Sequence, residues 1–316
     1  VAALMVCLFH AGFLLTPFLP ASSALLDIGQ DGVYVFFVIS GMVIPLALEK
    51  ANYRIHHFFT FMCKRLLRLM PPLVASATLV ALSSFIALHS NGEVLFKQWL
   101  ASITLTAPLM GIPFVNEVFW TLYVEMQYYI CIGLLFPMLH ASNATRRRIM
   151  LLCLLAVSFL SLMSGGYEKS KLPFHLPVFL MGYITFLYHR KHIVKSEYLA
   201  WLVLSAGVCL FLVGYLHGFG YRIATVAALT SLLIAHVHRG NRWFSAMGEY
   251  SYSFYLMHWP VISALCFCAG TLTQTFAGAL AVFLIVPIVS LGVARIFYAF
   301  SEKPALRWAK QLRYTP

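Results

Sequence analysis

The sequence predicts an all-α membrane protein, a polytopic bundle with about ten transmembrane helices, and three observations predict it. Of 316 residues, 61% are hydrophobic and 10% charged, against roughly 25% charged in an average soluble domain. Mean hydropathy is +0.84, and apolar runs of about twenty residues recur from end to end, each long enough to cross about 30 Å of hydrocarbon as a helix. Lipid permits only helices or closed barrels, because backbone polar groups must be satisfied internally. The ten-residue alternation of a barrel strand is absent.

A net charge of +12 suggests nucleic acid in a soluble chain, but here the basic residues sit in short loops between apolar runs. They read as topology signals, with the bilayer as the partner and no nucleic acid. The seven cysteines lie in apolar runs or in a basic loop, so no disulfide framework is expected. A single membrane domain is expected over residues 1–316, its front truncated within the first span.

Taken in order, the first span runs to residue 15 and the second covers 32–48. A basic loop over 49–70 carries Lys50, Arg54, Lys64, Arg65 and Arg68. The third span is 71–88, and a polar turn reaches Lys97. The apolar segment 98–115 is broken by Pro108, Gly111 and Pro113 and reads as an outer dip or surface helix. Further spans are expected at 117–139, 149–163, 173–188, 199–216, 221–237, 243–269 and 275–300. Of the 22 lysines and arginines, 17 fall in loops after the even-numbered spans. Those loops and both termini are therefore expected in the cytosol. A full crossing at 98–115 would invert the cluster Arg146, Arg147 and Arg148 relative to the first basic loop, which is why ten crossings are preferred.

Ionisable groups inside a bilayer cost a few kcal/mol on insertion scales and need a partner or a task. At about 1.5 Å per residue, His10, Glu125 and His258 lie roughly 8, 12 and 15 Å below the outer ends of their spans. That similar depth predicts one polar pocket. A neutral imidazole accepts a hydroxyl proton and an adjacent carboxylate stabilises the resulting imidazolium, so His10 and Glu125 are the candidate catalytic pair. Thr121, Tyr128 and Tyr129 share the Glu125 face at i−4, i+3 and i+4. Ser251, Tyr255 and His258 form a polar stripe at i, i+4 and i+7, and with Ser40 and Trp120 they are the candidate pocket wall. Arg65 and Arg68, three apart on one helix face beside Lys64, would clamp a diphosphate. Topology alone also accounts for that basic cluster, and an interhelical hydrogen-bond seam also accounts for the stripe.

Several of these residues fall in segments that resemble acyltransferase family 3, the membrane O-acyltransferases that modify surface sugars. His10 corresponds to the family's first-span histidine and FFVISG at 36–41 to its second-span motif. KRLLRLMPP at 64–72 matches an Arg-x-x-Arg motif followed by proline, and FWTLYVEMQYY at 119–129 matches a Trp-Ser-Leu-x-x-Glu-x-x-Tyr pattern with Thr121 in the serine position. SYSFYLMHWP at 251–260 and SEKP at 301–304 complete the order. One departure is Tyr34, which stands where an aspartate is common.

The resemblance implies transfer of an acyl group, acetyl being the expected one, from cytosolic acyl-CoA to a hydroxyl of a surface or lipid-linked polysaccharide. Arg65, Arg68 and Lys64 would hold the donor, His10 and Glu125 would carry the chemistry, and no metal is called for. The expected location is the bacterial inner membrane. With short outer connections, Phe119, Trp120 and Tyr123 would offer aromatic faces to the acceptor's sugar rings. A flippase for lipid-linked sugars is the alternative, since it uses intramembrane His and Glu equally well. It leaves the paired arginines without a task beyond topology.

Overall fold

The computed structural model describes residues 1–21, 25–88, 90–140, 143–165, 168–217, 220–237 and 247–314. Among these are twelve α-helices and no strand. They are α1 (Ala2–Ala11), α2 (Gly32–Lys50), α3 (Phe58–Leu88), α4 (Gly92–Ile103), α5 (Phe119–Leu139) and α6 (Ala144–Gly165). The rest are α7 (Leu176–His189), α8 (Lys195–His217), α9 (Gly220–His236), α10 (Ser251–Ala269), α11 (Phe276–Phe297) and α12 (Lys303–Gln311). Each expected span falls on one of them. Five helical segments among the described residues are long and apolar enough to cross a bilayer, and Ala2–Leu14, Leu176–His189 and Tyr221–His236 are shorter apolar helices. The chain is a multi-pass membrane protein. The start of the expected ninth span, from Trp243, and the basic residues Arg239 and Arg242 lie outside the described residues.

Two boundaries differ from the sequence reading. The basic loop expected to run to residue 70 ends at the start of α3, which continues through Pro71 and Pro72 as one helix of 31 residues. The residue before a proline is biased away from helix, yet the helix runs through both prolines unbroken. Within a membrane bundle, neighbouring groups can re-satisfy the carbonyls that a proline frees. At about 46 Å, α3 exceeds the hydrocarbon thickness, so its basic N-terminal turns can lie beyond it. The polar turn expected up to Lys97 is already helical. Helix α4 starts at Gly92, capped by Asn91 Oδ1 accepting from Glu93 N at 2.9 Å. Twelve residues give about 18 Å, too short to cross. A 3-10 turn, Ala107–Met110, follows it.

The helices form two compact units assembled from interleaved stretches. The first comprises Val1–Gly32, Cys63–Thr121 and Asn241–Leu312, and the second Val33–Met62, Leu122–Gly240 and Arg313–Pro316. In the first, α1 packs on α10 and α11. Pro260 within α10 has no N–H to donate to the carbonyl four residues back. That oxygen, of Leu256, instead accepts from Ser76 Oγ and from Asn116 Nδ2, each at 3.2 Å. The vacancy in α10 thus becomes the attachment point for α3 and for the segment that leads into α5. Tyr252 OH adds a bond to the Leu69 carbonyl at 2.9 Å.

In the second unit α2 and α7 cross at Gly41 and Gly182. A Cβ on Gly41 would collide with the Phe179 carbonyl oxygen, and one on Gly182 with that of Val38. Small residues let membrane helices approach until backbone touches backbone. Around the crossing, Phe179 stacks on Phe37 at 4.6 Å and on Tyr128 at 4.1 Å. Helix α7 is buried along Leu176–Leu187, so its sequence is apolar all round rather than on one stripe.

Replacing Gly41 with valine should force these helices apart and destabilise the protein by about 1–3 kcal/mol, the usual cost of overpacking. Thermal unfolding in detergent measures it. A melting temperature equal to that of the parent would refute the close crossing.

Candidate active site

The described structure brings the predicted residues together in two clusters, one in each unit. In the first, the His10 ring on α1 lies 5.3 Å from the His258 ring on α10, at an interplanar angle of 38°. Trp259 meets the same imidazole edge-on at 5.0 Å and 68°. His258 is fully buried, with the carbonyls of Phe254 and Tyr255 in its own helix as its polar surroundings. His10 is half-buried and opens onto a cavity of about 310 Å³ lined also by Phe9, Phe13, Thr16, Asp27 and Trp259. Its volume sits at the small end of ligand pockets.

The stripe on α10 divides by task. Ser251 Oγ turns back to the Gly248 carbonyl at 2.9 Å and takes no part in the cavity. Tyr255 OH meets Thr121 Oγ1 at 2.8 Å and donates to the Val118 carbonyl at 3.1 Å, fixing the start of α5. Of the three, His258 meets the His10 ring itself.

Glu125 forms the second cluster. Its Oε1 accepts from Ser40 Oγ at 2.7 Å and from Tyr129 OH at 2.6 Å. Two donors on one oxygen hold the carboxylate in a single orientation and tie α2 to α5. Tyr129 is therefore the i+4 partner that the spacing anticipates. Tyr128 OH instead points to the Gly41 carbonyl at 3.4 Å. Phe119 is fully buried and presents no face to a sugar, whereas Trp120 and Tyr123 are half-buried.

Lys64, Arg65 and Arg68 lie in the first half of α3. Arg68 is exposed, while Lys64 and Arg65 are half-buried. Arg68 acts electrostatically on Glu302, a buried carboxylate at the start of α12. Glu302 Oε2 accepts from Ser253 Oγ at 2.6 Å and from Ser253 N at 3.1 Å. The SEKP segment thereby satisfies a backbone N–H in the first turn of α10, which has no helical partner of its own.

The profile of acyltransferase family 3, described as an acyltransferase domain, matches residues 1–298. The chain belongs to acyltransferase family 3. A relative from Komagataeibacter xylinus named "Putative membrane-bound transacylase BcsY" is 24% identical over 321 aligned residues, covering 92% of this chain and 78% of that protein. No solved structure matches the chain. The chain is thus a membrane acyltransferase, and its first-span histidine opens into a cavity. Sequence reasoning passed over Asp27, Thr16 and Trp259 in that cavity. Trp259 was signalled by standing next to His258, while Asp27 and Thr16 carry no spacing signal and enter only through the turn that folds under α1.

In this acyltransferase the Leu256 carbonyl makes a direct test of the α10 framework. Removing both donors with Ser76→Ala and Asn116→Ala should cost about 1–3 kcal/mol, the price of a buried polar group left unsatisfied. In a Pro260→Ala background, residue 260 regains its own N–H and the same pair should cost clearly less. Equal losses in both backgrounds, measured by thermal unfolding, would separate Pro260 from these bonds.

Proposed function

We propose that the protein transfers an acyl group, acetyl in the first instance, from cytosolic acyl-CoA to a hydroxyl of a surface or lipid-linked polysaccharide. The observation that carries this reading is His10, an imidazole half-open to a small cavity within a family of membrane acyltransferases. In the reaction, His10 takes the acceptor hydroxyl's proton as its oxygen attacks the thioester carbonyl. The C–S bond breaks, an ester C–O bond forms, and the departing thiolate is reprotonated. A carboxylate stabilises the imidazolium, and Glu125 is assigned that part. An acyl-histidine intermediate splits the same overall exchange into two steps.

Lys64, Arg65 and Arg68 suit the donor's phosphates, since guanidinium forks pair with phosphate oxygens bidentately. In the proposed topology the end of α3 that carries them faces the cytosol, as do both termini, and the membrane is a bacterial inner membrane. Sugars on the opposite side reach His10 through the cavity. Its volume favours one ring at a time over a length of polymer. The membrane-bound transacylase named above supports the reaction class.

Substituting His10 with alanine should abolish ester formation while leaving a folded protein that still binds acyl-CoA. Arg65→Ala should raise the KM for acyl-CoA more than it lowers kcat. Turnover of radiolabelled acetyl-CoA with glycan extracts, beside size-exclusion profiles of each variant, measures both. Full activity in His10→Ala would sink the assignment.

A further inference from the structure

Apart from the two clusters, the second unit gathers a set of side chains that the transfer reaction does not use. Glu49 sits in the last turn of α2, His140 directly follows α5, and His192 lies in the turn after α7. The His192 Nε2 donates to Glu49 Oε1 at 2.9 Å, and His140 Nε2 stands 3.7 Å from the same oxygen. The three candidate ligand atoms all lie within 4.8 Å of one another. Three chain segments thus converge two imidazole nitrogens on one carboxylate oxygen, where only one of the nitrogens is close enough to bond.

We propose that Glu49, His140 and His192 form a divalent metal site, for Zn2+, that braces the ends of these three elements. Two imidazoles with one carboxylate oxygen favour Zn2+ and its transition-metal neighbours over Mg2+ or Ca2+, which prefer all-oxygen sets. A tetrahedral zinc with bonds of about 2.0–2.2 Å spaces its ligand atoms by roughly 3.3 Å. The separations of His192 and His140 from Glu49 Oε1, 2.9 and 3.7 Å, straddle that value. Small rotations of the side chains are enough to close the set around an ion, and water completes the fourth position.

The surroundings hold the ligands in place as supporting groups around a metal do. Arg190 Nε bonds the other oxygen of Glu49, leaving Oε1 turned to the histidines. Phe136 stacks flat on His140 at 4.9 Å and 9°. Buried Arg147 donates to the His192 carbonyl at 3.2 Å. The turn itself closes through His192 N to the Leu187 carbonyl and Lys191 N to that of Tyr188, which puts Lys191 in the left-handed region at φ 61°. That position usually takes glycine, so a lysine there marks a turn whose shape is imposed by what surrounds it.

The two arginines are the opposing consideration, because they add positive charge beside a cation. Arg190 is half-exposed and solvent-screened, and it engages Oε2 rather than the oxygen that would ligate. Binding displaces one hydrogen bond, that of His192 to Glu49. The Nε2 proton of His192 moves to Nδ1 or leaves, and any imidazolium present releases its proton to solvent.

The test uses full-length protein in detergent, freed of any affinity tag and stripped with chelator. Co2+ alone should bind at one equivalent and give the visible absorption of a four-coordinate site, and Zn2+ should displace it. His140→Ala and His192→Ala should each weaken that equivalent by about tenfold or more, while the elution profile stays unchanged. Undiminished binding in both variants, or no such absorption in the parent, would overturn the site and leave an ion-pair latch in its place. If either variant misfolds, X-ray absorption of the zinc-loaded parent decides. Two imidazoles without sulfur are expected, and a sulfur shell would move the metal to cysteines.

Discussion

A carbonyl that its own helix cannot satisfy organises much of the first unit. Pro260 removes the donor that Leu256 would have had, and in hydrocarbon no water stands in for it. Ser76 and Asn116 supply the replacement. Each is small and short, so each demands a definite approach of its own segment to α10. One proline therefore sets where α3 and the lead into α5 lie along α10. His258 and Trp259 are the two residues just before Pro260. The segment SYSFYLMHWP works as a single device, in which Trp259 lines the cavity, His258 packs on the His10 ring and Pro260 anchors the helix that carries them.

The same economy runs through the other polar contacts. Glu302 satisfies Ser253 at the start of α10, and Thr121 meets Tyr255 two residues further on. Glu125 draws Ser40 and Tyr129 onto one oxygen in the second unit. Apolar packing in lipid gives little preference for one helix register over another, because lipid tails are as apolar as leucine. Few but paired polar groups, together with close glycine crossings such as Gly41 on Gly182, supply the preference instead. The residues that recur in the motifs are largely those that fix register.

Much of the fold was legible because span length is a one-dimensional property. Every expected span has its helix. The start of α3 lies earlier than the sequence suggests because the basic stretch before Pro71 reads as a loop between spans, and whether a helix runs on beyond the hydrocarbon is a tertiary fact. The same holds for the site. Helical spacing found Tyr129 for Glu125 and brought His258 to notice, since i+4 and i+7 relations are local. It could not divide the α10 stripe, in which Ser251 caps its own turn and Tyr255 serves α5. Nor could it find Asp27 in the His10 cavity or the convergence of Glu49, His140 and His192, because neither has a period.

The sequence offers His10 and His258 as intramembrane imidazoles of similar depth, the first as a candidate base and the second as pocket wall, and burial separates them further. Proton transfer to a substrate requires a ring nitrogen that the substrate can approach to about 3 Å. His10 borders the cavity, whereas His258 is enclosed among Phe254, Tyr255 and its own helix. His258 meets the His10 ring at 5.3 Å on one side while Trp259 meets it edge-on at 5.0 Å. Two rings from consecutive positions on one helix limit how far the His10 ring can turn. In the proposed role of His10 as base, such a hold would fix before the acceptor arrives an orientation that is otherwise lost in entropy.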